Sequence, residues 1–231
     1  MEKKTFLFAG ASSCIAQSTA HLLREKGHRV IGISTKFDVG GYDDLHQIST
    51  YNFGNFPEIE EQIDGLVYFP GTIQLKPFPR LTPEDFSHDL SVNFIGAVAF
   101  AQSYLTNLKR SASASIVFLS SVAVSMGMPF HASIASSKGA IEGLTKSLAA
   151  EFAPKVRVNC VAPSLVNTPL GSKFLETPEK MELMEKRNPM RKVGTPNEVA
   201  QAIVFFLSDE SSWITGQILG VDGGMNTLKN S

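Results

Sequence analysis

Only two cysteines, Cys14 and Cys160, occur in 231 residues. They are too few and too far apart for a disulfide framework, and no CxxC or Cys/His cluster offers zinc a site, so no metal is expected. Sparse, unpaired cysteine fits a reducing cytoplasm. Charge of one sign is missing too. Lys and Arg number 21 against 22 Asp and Glu, a formal net charge of −1, which leaves no long-range field for nucleic acid or an anionic membrane. Long apolar runs are also absent. Met1-Glu2-Lys3-Lys4 followed by Phe6 to Ala9 could be taken for a leader peptide, with Ala11-Ser12-Ser13-Cys14 as its cleavage site. That apolar run is shorter than the roughly 7 to 15 residues a secretory segment needs. Nothing later approaches the ~18 apolar residues of a membrane span. The expectation is a soluble cytoplasmic protein with no nucleic-acid or membrane partner.

What the chain does have is apolar residues, 43% of the total, enough for one domain over residues 1–231 that buries roughly 70% of its unfolded surface. Thr5 to Ala9 reads as a strand that meets Gly10-Ala11-Ser12-Ser13. Ile15, Ala16, Ala20, Leu22 and Leu23 then recur at helical spacing up to Gly27. A second strand follows at Arg29 to Ser34, rich in β-branched residues. Strand, helix, strand in this span is a right-handed βαβ unit with neighbouring parallel strands.

Further along, the pattern predicts a short strand at Gln47 to Asn52, a helical turn or two at Pro57 to Ile63 and a buried strand at Gly65 to Phe69. Thr82-Pro83-Glu84-Asp85 opens a long helix, with Thr82 as N-cap, Pro83 at the first helical position and Asp85 completing the box. Its apolar stripe reads Phe86, Leu90, Phe94, Ala97, Ala101, Leu105 and Leu108. The small residues from Gly96 to Ala101 would let another helix approach. Strands at Ser115 to Leu119, Val156 to Val161 and Gln217 to Val221 alternate with helices at Ser133 to Phe152 and from Thr195 to about Ser208. The fold class is α/β, a doubly wound parallel sheet with helices on both faces in three layers, of Rossmann type.

Leu165 to Lys192 breaks the alternation. It is long, carries prolines, and holds one short helix from Thr177-Pro178 to Asn188-Pro189. Ligands of open α/β sheets bind beyond the carboxyl ends of the strands, so this excursion is expected to be a lid over an apolar substrate, faced by Phe174, Leu175, Met181, Leu183 and Met184.

Several segments, in order, resemble the short-chain dehydrogenase/reductase family. Gly10-Ala11-Ser12-Ser13-Cys14-Ile15-Ala16 sits where that family has its TGxxxGxG turn, and Tyr68-Phe69-Pro70-Gly71 where it has NNAG. Asn93 falls in the long helix, Ser120-Ser121 ends a strand, and Ser133-Ile134-Ala135-Ser136-Ser137-Lys138 occupies the YxxxK segment. Val156 to Pro163 resembles the strand ending in the Pro-Gly motif, here Pro163-Ser164. Trp213-Ile214-Thr215-Gly216-Gln217 and Val221-Asp222-Gly223-Gly224 resemble the C-terminal signature. The resemblance covers nearly the whole chain.

It implies a nicotinamide dinucleotide cofactor. Its pyrophosphate would lie on the turn at Gly10, Ser12, Ser13 and Ile15, above a helix N-terminus. Only Gly10 of the family's glycines remains, with Cys14 and Ala16 at the others. After the second strand, Ser34-Thr35-Lys36 offers hydroxyls and a cation but no carboxylate, which favours NADP(H) over NAD(H). Asn52 matches the adenine position, Gly71 of the NNAG-like segment a cofactor-binding position, Lys138 the nicotinamide ribose, Pro163 the stretch beside the nicotinamide, and Thr168 the carboxamide.

In the family a Tyr is the general acid, its pKa lowered from about 10 by the Lys four residues later. Here Lys138, Asn93 and Ser121, thirteen residues before the Tyr position, are present, and Ile134 stands in place of the Tyr. An isoleucine donates no proton, and a positioned general acid is typically worth about 10²- to 10⁴-fold in rate. His131, seven residues before Lys138 and nearly on the same helical face, resembles the tyrosine position of the superfamily's enoyl reductases and is the candidate replacement. It also reads as an ordinary loop histidine.

Two functions stand open. One is an NADP(H)-dependent reductase of a carbonyl or conjugated enone, 3-oxoacyl or enoyl reductase-like, with Ser121, Lys138, Asn93 and His131 as the catalytic set. The other is a catalytically silent nucleotide-binding or partner subunit. A cofactor-free lyase of the halohydrin dehalogenase kind requires the missing Tyr and an Arg where Lys138 stands. The resemblance further implies a homotetramer or homodimer.

Overall fold

Along Thr5–Ala9 (β1) the side chains alternate between two interiors. Phe6 and Phe8 enter one apolar cluster, while Leu7 and Ala9 enter another. A strand buried on both faces must lie inside a sheet covered on both sides. The computed structural model, which describes residues 3–228, has that architecture. Met1 and Glu2, which begin the stretch weighed as a leader, lie outside the described residues.

The strands are β1, β2 (Arg29–Ser34), β3 (Asp44–Gln47), β4 (Gly65–Tyr68), β5 (Ala114–Leu119), β6 (Val156–Pro163) and β7 (Ile218–Val221). They form one parallel sheet in the order β3-β2-β1-β4-β5-β6-β7. Strand order reverses between β1 and β4, and the crevice beyond their carboxyl ends is where such sheets bind ligands.

Helix α1 (Cys14–Glu25) connects β1 to β2. The long helix is assembled from α2 (Pro83–Leu90), a π-helical turn (Ser91–Ile95), α3 (Gly96–Ser103) and α4 (Leu105–Leu108). A short α5 (Ala123–Met126) precedes α6 (Ala132–Phe152). Next come α7 (Pro178–Arg187) and α8 (Pro196–Leu207). α1 and α8 pack together over Phe6, Phe8 and Val67 on one face. On the other, α3 and α6 cover Leu7, Ala9, Tyr68 and Phe118. Each buried Val, Leu or Phe among them contributes roughly 1.5–3 kcal/mol.

Three local expectations are corrected. The third strand lies at Asp44–Gln47, not Gln47 to Asn52. Apart from Leu45 its residues are polar, and they are mostly exposed because it is an edge strand paired only with β2. Pro57 to Ile63 is not helical. Asn107 Nδ2 donates to the carbonyls of Ile59 and Glu61, and Tyr104 Oη to that of Pro57, which holds the segment extended.

The third correction concerns the long helix. α2 and the π turn bury Asp85, Asp89 and Asn93, while Leu90 is exposed and Phe86 and Phe94 half-buried. The π turn carries one extra residue and resets the register. Beyond it the predicted stripe is buried at Ala97, Ala101 and Leu108. The small residues there accommodate the sheet rather than a second helix, since a β-carbon on Gly96 would stand 2.1 Å from Tyr68 Oη.

The excursion after β6 leaves the sheet at Val166 and returns at Gly194, which form an isolated parallel bridge. Asn188 ties it down, donating from Nδ2 to the Asp222 carbonyl at 2.7 Å. α7 buries none of its residues, and Lys173 Nζ reaches the Ile73 carbonyl, 3.5 Å away across the strand ends.

Candidate active site

The crevice between β1 and β4 begins at a sharp turn. Gly10 and Ala11 both donate their N–H to the Ile33 carbonyl (2.9 and 3.0 Å), and Ser13 donates back to Gly10 (2.9 Å). Ser13 is the N-cap of α1, but its hydroxyl makes no capping bond. The first-turn amides of α1 are therefore uncapped by that side chain, the arrangement that favours an anion. Ser12, Ser13 and Cys14 are half-buried around them, whereas the side chain of Ile15 turns into the core, leaving only its backbone for a ligand.

At the end of β2, the buried Ser34 uses its hydroxyl to accept from the Lys36 amide at 2.9 Å. Thr35 and Lys36 are exposed beside it. Asn52 is exposed on the loop beyond β3. Its half-buried neighbour Tyr51 reaches toward the crevice, its hydroxyl near Thr35 and the Gly10 backbone. Burial raises the phenol's pKa, and these contacts lower it.

On the far side of the crevice, α6 delivers Lys138. It is 8% exposed, and its Nζ donates to the Leu119 carbonyl at the end of β5 (2.9 Å). Burial pushes the ammonium down from 10.5 to about 8, while Cys160 and Asp89 pull it upward. Gly71 lies directly opposite. A β-carbon there would stand 3.6 Å from Lys138 Nζ and 3.2 Å from Asn93 Oδ1.

Asn93 is fully buried in the π turn. It donates to Thr72 Oγ1 (2.8 Å) and to the Asp89 carbonyl (2.9 Å), and accepts from the Thr72 amide (3.2 Å). Gly71, Asn93 and Lys138 thus converge on one spot. Ser121 stands at the end of β5, where its hydroxyl accepts from the Ala123 amide at 3.2 Å and starts α5. Pro163 closes β6, its carbonyl accepting from Val122. Thr168 is half-buried where the excursion begins.

Ile134 is 4% exposed, one turn before Lys138 on α6. His131 is the N-cap residue of α6, half-exposed, its Nδ1 2.7 Å from the Pro129 carbonyl. No hydrogen bond among the described residues joins it to Ser121, Asn93 or Lys138.

The comparisons with known proteins bear on this arrangement. Residues 36–226 match the sequence model of a family described as enoyl-(acyl carrier protein) reductase. The 3-oxoacyl-(acyl-carrier-protein) reductase FabG of Thermotoga maritima is 32% identical over 244 residues, covering 97% of this chain and 98% of that one. The chain belongs to the short-chain dehydrogenase/reductase family. A tropinone reductase homologue of Arabidopsis thaliana is 38% identical over 172 residues, covering 72% of this chain and 56% of its own. Among solved structures, the aldohexose dehydrogenase of Thermoplasma acidophilum, in ligand-free form, superposes with a TM-score of 0.88 at 28% identity, covering 100% and 96% of the two chains. A gluconate 5-dehydrogenase of Burkholderia cenocepacia, in complex with NADP and tartrate, gives a TM-score of 0.91 at 23% identity, covering 99% and 97%, a likeness of fold.

Members of this short-chain family use nicotinamide cofactors, commonly form oligomers and act on small molecules. The chain's residues fit such a group. Gly10 provides the close turn, α1 its uncapped amides, and Lys138 a buried cation facing a glycine. No helix among the described residues is long and apolar enough to cross a membrane, and they hold no cluster of metal ligands.

Three features were not found from the sequence. Asp89 is fully buried, accepting from Thr72 Oγ1 (2.5 Å) and Ser133 Oγ (2.6 Å). Ser120 Oγ donates to Glu142 Oε1 at 2.6 Å behind Lys138. Tyr51 over the turn is the third. Only the first had a legible signal, the i, i+4 spacing of Asp85, Asp89 and Asn93 on one face.

Proposed function

We propose that the protein is an NADP(H)-dependent oxidoreductase that reduces a carbonyl or a conjugated enone, in the manner of a 3-oxoacyl or enoyl reductase. The observation that carries this reading is the buried Lys138 ammonium facing Gly71 and Asn93 at the strand ends. A near full-length relative that is a 3-oxoacyl reductase, and a family description as enoyl reductase, support it.

When bound, the reduced nicotinamide supplies the hydride. In this reading the chain does the rest. Gly10, Ser12, Ser13 and the Ile15 backbone hold the pyrophosphate. Ser34, Thr35 and Lys36 meet the 2′-phosphate, in a turn without a carboxylate to repel it. Asn52 lies toward the adenine. Gly71 and Lys138 hold the nicotinamide ribose, and Pro163 and Thr168 the carboxamide end. Ser121 fixes the substrate oxygen and Asn93 orders the neighbouring donors. The excursion at 165–192 closes over an apolar substrate. Two free cysteines fit a cytoplasmic setting. Assembly as a homodimer or homotetramer is supported by the 98% exposure of Trp213 and the exposed Leu219 on the edge strand β7.

The test is oxidation of NADPH in the presence of a panel of ketones and enones, with Lys138→Ala as control. The reading expects turnover that falls at least about 10²-fold in the variant. A second reading, a catalytically silent nucleotide-binding subunit, is favoured by one observation: the turn of α6 before Lys138 presents the buried Ile134, not a phenol. Ketone reduction appearing only in Ile134→Tyr would establish that second reading.

A further inference from the structure

Asp89 is a carboxylate that the proposed function leaves without a task. It sits on the buried face of α2, fully enclosed, where an ionised group is costly unless paired and hydrogen-bonded. Its two oxygens are both engaged. Oδ1 accepts from Thr72 Oγ1 and Oδ2 from Ser133 Oγ. Both donors are hydroxyls, which satisfy the oxygens but bring no countercharge.

The two hydroxyls lead to the active site from opposite walls. Thr72 follows Gly71, the residue facing Lys138 Nζ, and its Oγ1 also accepts from Asn93 Nδ2. Ser133 precedes Ile134 on α6. Other charged groups near the pair are few. Asp85, one turn earlier on α2, is paired with Lys76 at 2.6 Å. Behind Lys138 stand the Cys160 thiol of β6 and Glu142 of α6, which accepts from Ser120. Lys138 lies beyond Thr72 and Asn93 from Asp89, with Gly71 facing both Lys138 Nζ and Asn93 Oδ1, and the Asp89 carboxylate is among the groups that raise the ammonium against its burial.

We propose that Asp89 is the countercharge of Lys138, and that Lys138, held protonated by it, delivers the proton that Ile134 cannot. The inference rests on the reductase reading. As hydride from the reduced nicotinamide reaches the substrate carbon, the carbon–oxygen π pair moves to oxygen. The oxygen bonds a proton from Lys138 Nζ, the N–H pair stays on nitrogen, and the neutral amine regains a proton from water. Lys138 is the catalytic residue. Asp89 is a positioning residue, acting through charge and through Thr72 and Asn93.

The pairing is tested without cofactor. In protein labelled at the lysine side chains, the Lys138 resonance, identified by its loss in Lys138→Met, is followed by NMR as pH is raised. Asp89→Asn keeps the shape and removes the charge. The Lys138 midpoint is expected to fall by about one pH unit or more, and the alkaline limb of turnover to move down with it. Ser133→Ala removes one bond to Asp89 but keeps its charge, and is expected to leave the midpoint in place. Asp89→Thr is the second uncharged variant, read in the same way.

A midpoint that does not move in either uncharged variant overturns the pairing. So does an equal shift in Ser133→Ala, which would make Asp89 a merely structural acceptor. A normal midpoint shift in a protein that turns over no ketone or enone overturns proton delivery together with the reductase reading, and leaves the countercharge standing.

Discussion

Gly10 and Pro70 touch across the start of the crevice. Gly10 has φ +78°, and the Pro70 ring carbon Cδ stands 2.8 Å from where a β-carbon on residue 10 would lie. Both the left-handed backbone and the close approach exclude a side chain there. Gly10→Ala is therefore expected to cost about 1–3 kcal/mol of stability in denaturant unfolding and to abolish dinucleotide binding. Wild-type stability in this variant would show that the turn is slack.

Lys138 predicts an unusual pH dependence of stability. Its folded pKa of about 8 lies below the ordinary 10.5. Below pH 8 both states are protonated and the folded state bears the full desolvation cost, on the order of 3 kcal/mol. From about 8 to 10.5 the unfolded chain binds more protons, so this group's contribution to stability rises with pH. Cys160, whose burial raises its thiol from 9.0 to about 12, acts in the opposite direction above pH 9. A rise confined to about pH 8–9 is expected in the wild type and absent in Lys138→Met. That variant is expected to be at least as stable as wild type at pH 7 in urea unfolding.

Much of the fold was legible. The capping boxes Thr82/Asp85 and Thr195/Glu198 start α2 and α8 as their spacing predicts. The strands expected at Thr5 to Ala9 and Val156 to Val161 lie in the interior of the sheet. What failed had no local signal. β3 is a polar edge strand defined by pairing with β2, and Pro57 to Ile63 is held extended by Tyr104 and Asn107, some 45 residues away in sequence. The site was half legible. Lys138, Asn93 and Gly71 converge, but Asp89 was missed: its i, i+4 spacing with Asp85 and Asn93 puts the three on one helical face, and only the fold shows that this face turns inward. Its partners Thr72 and Ser133 come from separate segments.

Arg157 in β6 is a structural counterpart to Lys138. It is buried and donates to the carbonyls of Phe206, Ser208 and Ser211 and to Ser211 Oγ, at 2.6–3.1 Å. A cation there also answers the negative end of α8. Arg157→Leu removes these charge-assisted bonds, although Phe206 and Ser208 keep bonds from Ser211, and is expected to cost about 2–4 kcal/mol, measured by chemical unfolding, with the dinucleotide affinity of the folded fraction unchanged.

His131 separates the two candidate proton donors. Its ring lies against Pro129 at the mouth of α6, whereas Lys138 lies within the cluster. His131→Ala is expected to change turnover by less than threefold, against a loss of about 10²-fold or more in Lys138→Ala. The reverse pattern in steady-state kinetics would return proton delivery to the histidine.

Lys36 is exposed beside Ser34 at the end of β2. Lys36→Ala is expected to weaken NADPH binding by about tenfold, the loss of one charge-assisted contact, and to leave NADH binding unchanged. Equal effects on both cofactors would mean that the lysine does not meet the 2′-phosphate.

The proposed reductase activity depends on the crevice between β1 and β4 holding a nicotinamide dinucleotide. The direct measurement is titration of the purified protein with NADPH and with NADH, followed by nicotinamide fluorescence and by heat. The account predicts saturable binding of both, tighter for NADPH, and lost in Gly10→Ala. No binding of either at millimolar concentration would contradict it and remove hydride transfer from the protein's chemistry.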